Sequence, residues 1–350
     1  MRASRILQAV EAHAEGEPGR VITGGMPLLR GHSVFEKMQD MAANHDDIRL
    51  SMLREPRGNP GLCGNAIVPP CHPEADAGFI IFEQTEYPPM SGSNTICVVT
   101  VLLETGIVPM TEPVTELVLE APAGLIRVRA DCRDGKVKRV AFRNVPAFAV
   151  HLDAQVEVAG LGTVSVDVAW GGMFFVLAGA ERLGVALDAD NGAEIVRVSE
   201  AIRHAAAEQL PVVHPENPEI TGPTITNLWG APVAEGTHGR GAITISTGPF
   251  NPERLQDASG ILDRSPCGTG TCAKMAVLHA RGLLGIGQDY VNAGPLVTTF
   301  TGRIVEETQV GPYKAIVPTL SGQGWIYGLS SYTLDPSDPF PAGYTVGDMW

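Results

Sequence analysis

Two short polar loops carry residue types that could act at a carbon–hydrogen bond. One is Ser265-Pro266-Cys267-Gly268-Thr269-Gly270, and the other is Met90-Ser91-Gly92-Ser93-Asn94. Each leads into an apolar run that predicts a buried helix, over 270–282 in the first case and 94–105 in the second. A helix N-terminus leaves backbone N–H groups unpaired and carries about half a positive charge. It suits a carboxylate, and glycine beside it lets backbone approach a ligand closely. The same field favours a thiolate, lowering a cysteine pKa from about 8.5 by several units. Pro266 cannot lie inside a helix, which keeps Cys267 at the helix start. A thiolate there is a base or a nucleophile. Taking the α-proton from an amino acid without pyridoxal phosphate or a metal needs donors aimed at its carboxylate in a dry cleft. A base on one face and an acid on the other make a two-base racemase or epimerase.

These loops form an internal repeat. Ser91 and Cys267 lie 176 residues apart in a chain of 350, about half its length. With them aligned, Ser91-Gly92-Ser93-Asn94-Thr95 lies over Cys267-Gly268-Thr269-Gly270-Thr271, and Val101 and Leu102 over Val277 and Leu278. Gly106 and Gly282 then close the two helices at equivalent places. The repeat predicts two similar lobes, each presenting one helix N-terminus to a shared cleft.

The elements that must position these loops are mostly strands. The run from Thr115 to Ala130 alternates across a turn at Ala123-Gly124, and 136–145 follows a turn at Asp134-Gly135, so both read as hairpins. The stretch 163–179 reads as two buried strands broken by Gly171-Gly172, and 193–209 as an amphipathic helix. The 40 Gly and 27 Pro fit the many turns of a strand-rich chain. The expected fold is α+β: two pseudo-symmetric lobes, each a barrel-like sheet around a buried helix, similar to diaminopimelate epimerase. The expected boundaries are 1–150 for the first lobe, 151–334 for the second, and a tail at about 335–350 returning to the first.

Composition limits the partners. A net charge of −14 with no basic cluster argues against nucleic acid. No run of 18 apolar residues suggests a membrane span, and the opening MRASRILQAV does not read as a signal peptide, so the expected location is the cytoplasm. The six cysteines show no CxxC spacing, so neither zinc nor a disulfide framework is expected. Cys63, in Gly61-Leu62-Cys63-Gly64-Asn65, lies outside the repeat and reads as structural, as do Cys97 and Cys272 inside the helices. His214 and His238 read as loop residues.

Longer segments carry a resemblance. His13 to Arg20 resembles the HxxGEPxR opening of the proline racemase family, and Arg54-Glu55-Pro56-Arg57-Gly58 its REPRG motif. Val166 to Gly172 resembles its DVxxGG strand, and Asp263 to Gly270 its DRSPCGTG motif around the second catalytic cysteine. The resemblance implies an enzyme without cofactor or metal, acting on a proline-like small molecule, with a homodimer as an open expectation. It implies catalytic roles for Ser91 and Cys267. It also implies carboxylate binding by Gly92, Ser93, Gly268 and Thr269, and an Asp263 partner for the ring nitrogen.

One position departs from the pattern. The family's first catalytic motif, MCGH, reads Met90-Ser91-Gly92-Ser93 here. A neutral hydroxyl is a poor acid and base beside a thiol, which weakens two-base chemistry. Dehydration of trans-3-hydroxy-L-proline asks for less, because the leaving hydroxyl and the α-hydrogen share a ring face. The expectation is a trans-3-hydroxy-L-proline dehydratase giving Δ1-pyrroline-2-carboxylate, with weak 4-hydroxyproline 2-epimerase activity. The alternatives are a 4-hydroxyproline 2-epimerase, a cysteine hydrolase using Cys267, and a non-catalytic protein binding proline analogues.

Overall fold

In the computed structural model, which describes residues 3–347, contacts divide the chain after Phe142 and again after Ser321. The first unit contains β1 (Arg5–Ala14), β2 (Glu17–Gly24), α1 (Val34–Asn44), α2 (Asp46–Leu53), β3 (Cys63–Val68), β4 (Ala77–Phe82), α3 (Gly92–Glu104), β5 (Val114–Ala121) and β6 (Gly124–Arg133), with β7 (Lys136–Arg143) at its border. Pairing runs β1–β2 antiparallel, β2–β3 parallel, β3–β4 antiparallel, β4–β5 parallel and β5–β6 antiparallel.

The second unit contains β8 (Ala147–Val158), β9 (Gly162–Trp170), β10 (Phe174–Gly179), α4 (Ala180–Leu183), α5 (Gly192–Gln209), β11 (Val212–His214), β12 (Asn217–Gly222), β13 (Ile225–Gly230), β14 (Gly239–Ser246), β15 (Gly260–Leu262), α6 (Gly268–Ala280), β16 (Asp289–Ala293), β17 (Thr299–Val310) and β18 (Tyr313–Gly322). Its ladders β9–β10, β10–β13, β13–β14, β14–β16 and β16–β17 repeat the same antiparallel and parallel alternation. With β17–β18, β18–β8 and β8–β9 they close a ring of eight strands, which leaves no unpaired edge. The fold is α+β, and each unit builds a strand-rich sheet against one apolar helix.

The boundaries differ from 150/151 and 334/335. Position 150 lies inside β8, whose pairing with β9 holds it in the second unit. β19 (Gly324–Leu334) pairs along its length with β1, so it belongs to the first unit. The following segment is tied there too: Arg57 Nη2 donates to the carbonyls of Phe340 and Pro341, each at 2.9 Å, and Tyr344 N to Glu55 O at 2.9 Å. Residues 348–350 of the expected tail lie outside the described residues. Among the described residues no helix is long and apolar enough to cross a membrane.

The two repeat helices are deeply buried in their units. In α3 every residue from Gly92 to Leu103 is buried, and the helix packs on β1, β2, β3 and β19. In α6 every residue from Gly268 to Val277 is buried, against β8, β9, β10, β14 and β17. Each fully buried Val, Leu or Ile contributes about 1.5–3 kcal/mol, so an all-round apolar helix is stable only inside such a wall. Both are 13 residues long and end at a glycine with positive φ, +74° at Gly106 and +72° at Gly282. Gly171 sets the depth of α6, because a Cβ there would lie 2.2 Å from Thr269 O and 2.5 Å from Ala273 N. Gly171→Ala should therefore destabilise the protein by about 3 kcal/mol and displace the first turn of α6, measured by denaturant unfolding. An unchanged midpoint would count against this packing.

Helices α1 and α2 were not anticipated from the sequence. Ser33 caps α1 by accepting from Glu36 N at 3.1 Å, and Glu36 reaches back to His32 N. The Ser33-x-x-Glu36 spacing is a capping signal, and Val34, Met38 and Met41 supply the buried stripe behind it.

Candidate active site

Ser91 is the N-cap of α3. Its backbone is extended (φ −145°, ψ 128°), and its Oγ accepts from Asn94 N at 3.4 Å and Asn94 Nδ2 at 2.9 Å. Ser93 Oγ lies 3.4 Å away. Asn94 is held in turn by Asn65 Nδ2, which donates to its Oδ1 at 2.6 Å. Among the described residues no carboxylate or imidazole hydrogen-bonds the Ser91 hydroxyl. The N–H groups of Gly92 and Ser93 precede the first intrahelical bond, Thr95 N to Ser91 O at 3.0 Å, so they stay open to a ligand.

Cys267 is the N-cap of α6. Its Sγ accepts from Gly270 N at 3.4 Å and lies 3.7 Å from Thr269 Oγ1. Thr271 N to Cys267 O, 3.0 Å, is again the first intrahelical bond, leaving Gly268 and Thr269 N–H open. The backbone differs from that of Ser91: Cys267 has φ +57° and ψ 118°, a region that costs a non-glycine residue about 1–3 kcal/mol. The loop enforces it. Asp263 Oδ1 accepts from Ser265 N at 2.7 Å, and Ser265 Oγ accepts from Cys267 N at 3.0 Å. Pro266 O accepts from Asn292 Nδ2 at 3.1 Å and Thr271 Oγ1 at 3.2 Å. Gly294 lets the loop settle, since a Cβ there would lie 2.7 Å from Ser265 O. Ser265, Asn292, Asn65 and Asn94 thus position the two caps, and sequence reasoning did not single them out. Ser265 and Asn94 carried a signal, their places inside the Asp263–Gly270 motif and the Ser91–Thr95 repeat loop.

The expected low thiol pKa of Cys267 is not what the structure gives. Burial pushes the thiol well above its usual range, and the nearby Asp263 carboxylate pushes the same way. The Gly270 N–H and the Thr269 hydroxyl oppose them and do not win. Both Cys267 and Asp263 are buried, so little water screens either effect. Cys267 is therefore a thiol in the unliganded protein. A cation binding Asp263 would remove one of the two effects that hold its proton.

Cys97 and Cys272 are fully buried in α3 and α6, as expected of packing residues. Burial raises the Cys97 thiol strongly and the Cys272 thiol to about 12. Above about pH 8.5 the unfolded chain loses thiol protons that the folded chain keeps, so stability falls as pH rises. Each buried thiol contributes about 1.4 kcal/mol per pH unit to that fall. Lys274, lowered to about 8 by burial, acts in the opposite sense up to its unfolded value of about 10.4. Unfolding at several pH values should show Cys97→Ala flattening the alkaline slope by about 1.4 kcal/mol per unit. Parallel slopes would contradict the buried thiol.

Cys63 lies in β3, its thiol donating to Glu17 Oε1 at 3.4 Å and Glu83 Oε1 at 3.9 Å. His214 lies in β11 rather than a loop, its ring 4.7 Å from Trp170 and 5.7 Å from Phe148. His238 precedes β14 and accepts from Val291 N at 2.9 Å.

The strand alternation, the two buried helices and their paired N-terminal caps define a fold shared with PhzF-type proteins. A PhzF-family phenazine biosynthesis protein of Bacillus anthracis matches 95% of this chain and 99% of its own, with a TM-score of 0.56 at 11% identity. That likeness concerns the fold alone. The proline racemase family model matches residues 9–345, and the chain belongs to that family, whose members are cofactor-independent isomerases. A hydroxyproline epimerase from Agrobacterium vitis, solved with bound trans-4-hydroxy-L-proline, is 34% identical, with a TM-score of 0.92 over 100% of this chain and 97% of that one. A probable proline racemase from Agrobacterium radiobacter, with bound carbonate, is 36% identical, with a TM-score of 0.90 over 98% of each chain.

Proposed function

We propose that this protein is a trans-3-hydroxy-L-proline dehydratase, with 4-hydroxyproline 2-epimerisation as a lesser activity. The observation that carries this reading is the inequality of the two caps. Cys267 offers a thiol beside Asp263, whereas Ser91 offers a hydroxyl engaged with Asn94 and joined to no base among the described residues. Asp263 receives the ring ammonium. That cation offsets the carboxylate's share of the pressure on Cys267, so the thiol gives up its proton more readily. The open N–H groups of Gly268 and Thr269 at the α6 cap are the proposed donors to the substrate carboxylate.

The thiolate takes the α-proton. The electron pair of the broken carbon–hydrogen bond forms a double bond to the neighbouring ring carbon, and the bond from that carbon to oxygen breaks. The same sulfur returns the proton to the departing hydroxyl, which leaves as water from the same ring face. The enamine then tautomerises to Δ1-pyrroline-2-carboxylate. Nothing is oxidised or reduced.

Epimerisation of 4-hydroxyproline is the second reading, favoured by the 34% identity to the Agrobacterium vitis epimerase. It requires Ser91 to deliver or accept a proton, which an unassisted hydroxyl does poorly. Incubation with each substrate separates the two. The expected result is pyrroline from trans-3-hydroxy-L-proline at a higher kcat/KM than epimerisation of trans-4-hydroxy-L-proline. No pyrroline would overturn the assignment.

A further inference from the structure

The second unit contains a cavity of about 450 Å³ on the C-terminal half of α6. Lys274, Leu278 and Arg281 line it from the helix, Asp167 from β9, and Trp229 from β13. Neither Asp263 nor any residue from Cys267 to Gly270 lines it, so it is separate from the N-terminal cap of α6.

Lys274 is the unusual group here. It is 6% exposed, and its Nζ lies 3.3 Å from the centroid of the Trp229 ring. Among the described residues it donates no hydrogen bond and pairs directly with no carboxylate. Asp167, the acid acting on it, is bound to Arg281 Nη2 at 2.6 Å, and Arg281 also grips Asp153 at 2.8 and 3.0 Å. Burial lowers the ammonium to about 8, Arg281 adds to the lowering, and Asp167 opposes it. Desolvation makes this amine a nucleophile near neutral pH, and the Trp229 face, which attracts the ammonium, works against it.

Glu181 and Arg182 on α4 and the His238 imidazole also line it. Arg281 is occupied by its two aspartates. Arg182 acts on Asp153 only at a distance and has no hydrogen-bonded carboxylate among the described residues. The cavity thus offers an amine for a carbonyl carbon, a guanidinium for a carboxylate, and Leu177, Leu278 and Leu283 for a short hydrocarbon chain.

We propose that this cavity is a second ligand site, taking a small 2-oxo acid whose carbonyl condenses with the Lys274 amine. The neutral amine adds to the carbonyl carbon, one of its protons moves to the oxygen, and the resulting hydroxyl takes the second N–H proton and leaves as water. A carbon–nitrogen double bond remains, with no change of oxidation state. The site is independent of the dehydratase reading, and its test needs no turnover.

The probe is glyoxylate with sodium cyanoborohydride, applied to the whole protein at pH about 8 and followed by peptide mapping. Reduction of the imine leaves one carboxymethyl group on the reacting lysine. At that pH the neutral fraction of Lys274 exceeds that of an ordinary lysine by about a hundredfold, so labelling should run at least about tenfold faster there than at exposed Lys138 and Lys314. Arg182→Ala should raise the half-saturating glyoxylate about tenfold and leave labelling by propanal unchanged. Lys274→Met should abolish the fast label. Wild-type labelling confined to Lys138 and Lys314, or equal at all three, would overturn the proposal, and that result does not depend on any variant folding.

Discussion

Cys267→Ala is expected to lower pyrroline formation by about 10³-fold or more, within the range for loss of a general base at a carbon acid. The side chain removed is the one that takes and returns the proton in the proposed step. Its backbone is already forced to φ +57° by the loop around it. Alanine keeps a Cβ, so the strain and fold remain while the chemistry goes. Loss of the Gly270 N–H to Sγ contact, at 3.4 Å, costs little because the acceptor is a weak one. Exchange of the α-hydrogen in heavy water should fall in parallel, since proton removal precedes either outcome. A variant that still exchanged the α-hydrogen at the wild-type rate would place the base elsewhere.

Ser91→Cys moves the protein towards the isomerases it resembles. A thiol at the α3 cap would stand at the same helix position as Cys267 and carry a second proton near neutrality. Epimerisation of trans-4-hydroxy-L-proline should rise by about 10²-fold, while its ratio to pyrroline formation from the 3-hydroxy isomer also rises. The substitution weakens the cap of α3, at a cost of about 1 kcal/mol, because sulfur is a poorer acceptor for Asn94 N than a hydroxyl oxygen. Thermal unfolding would report that cost separately from activity. Unchanged epimerisation in a folded variant would mean that the hydroxyl is not what limits two-base chemistry.

Much of this was legible in the residues. The 176-residue offset led from two short loops to two helices of 13 residues with equivalent caps and equivalent closing glycines. The Gly171-Gly172 break, the turn before Gly124 and the amphipathic run ending at Gln209 became β9–β10, β5–β6 and α5. Less legible was anything set by partners distant in sequence. The return of β19 to β1 depends on pairing across more than 300 residues, which local pattern does not encode. The acidity of Cys267 was misjudged for a related reason. The helix terminus is visible in sequence, but the depth of burial and the approach of the Asp263 carboxylate are not, and those terms are larger. Asn65 and Asn292 escaped notice because each reaches its loop from a strand far along the chain.

The central claim is that one sulfur carries both proton steps while the serine does not. Its most direct test is pyrroline formation from trans-3-hydroxy-L-proline by the wild type, Ser91→Ala and Cys267→Ala side by side. Ser91→Ala should keep activity within about tenfold of wild type, and Cys267→Ala should lose about 10³-fold or more. An inactive Ser91→Ala that folds normally, or an active Cys267→Ala, would contradict it.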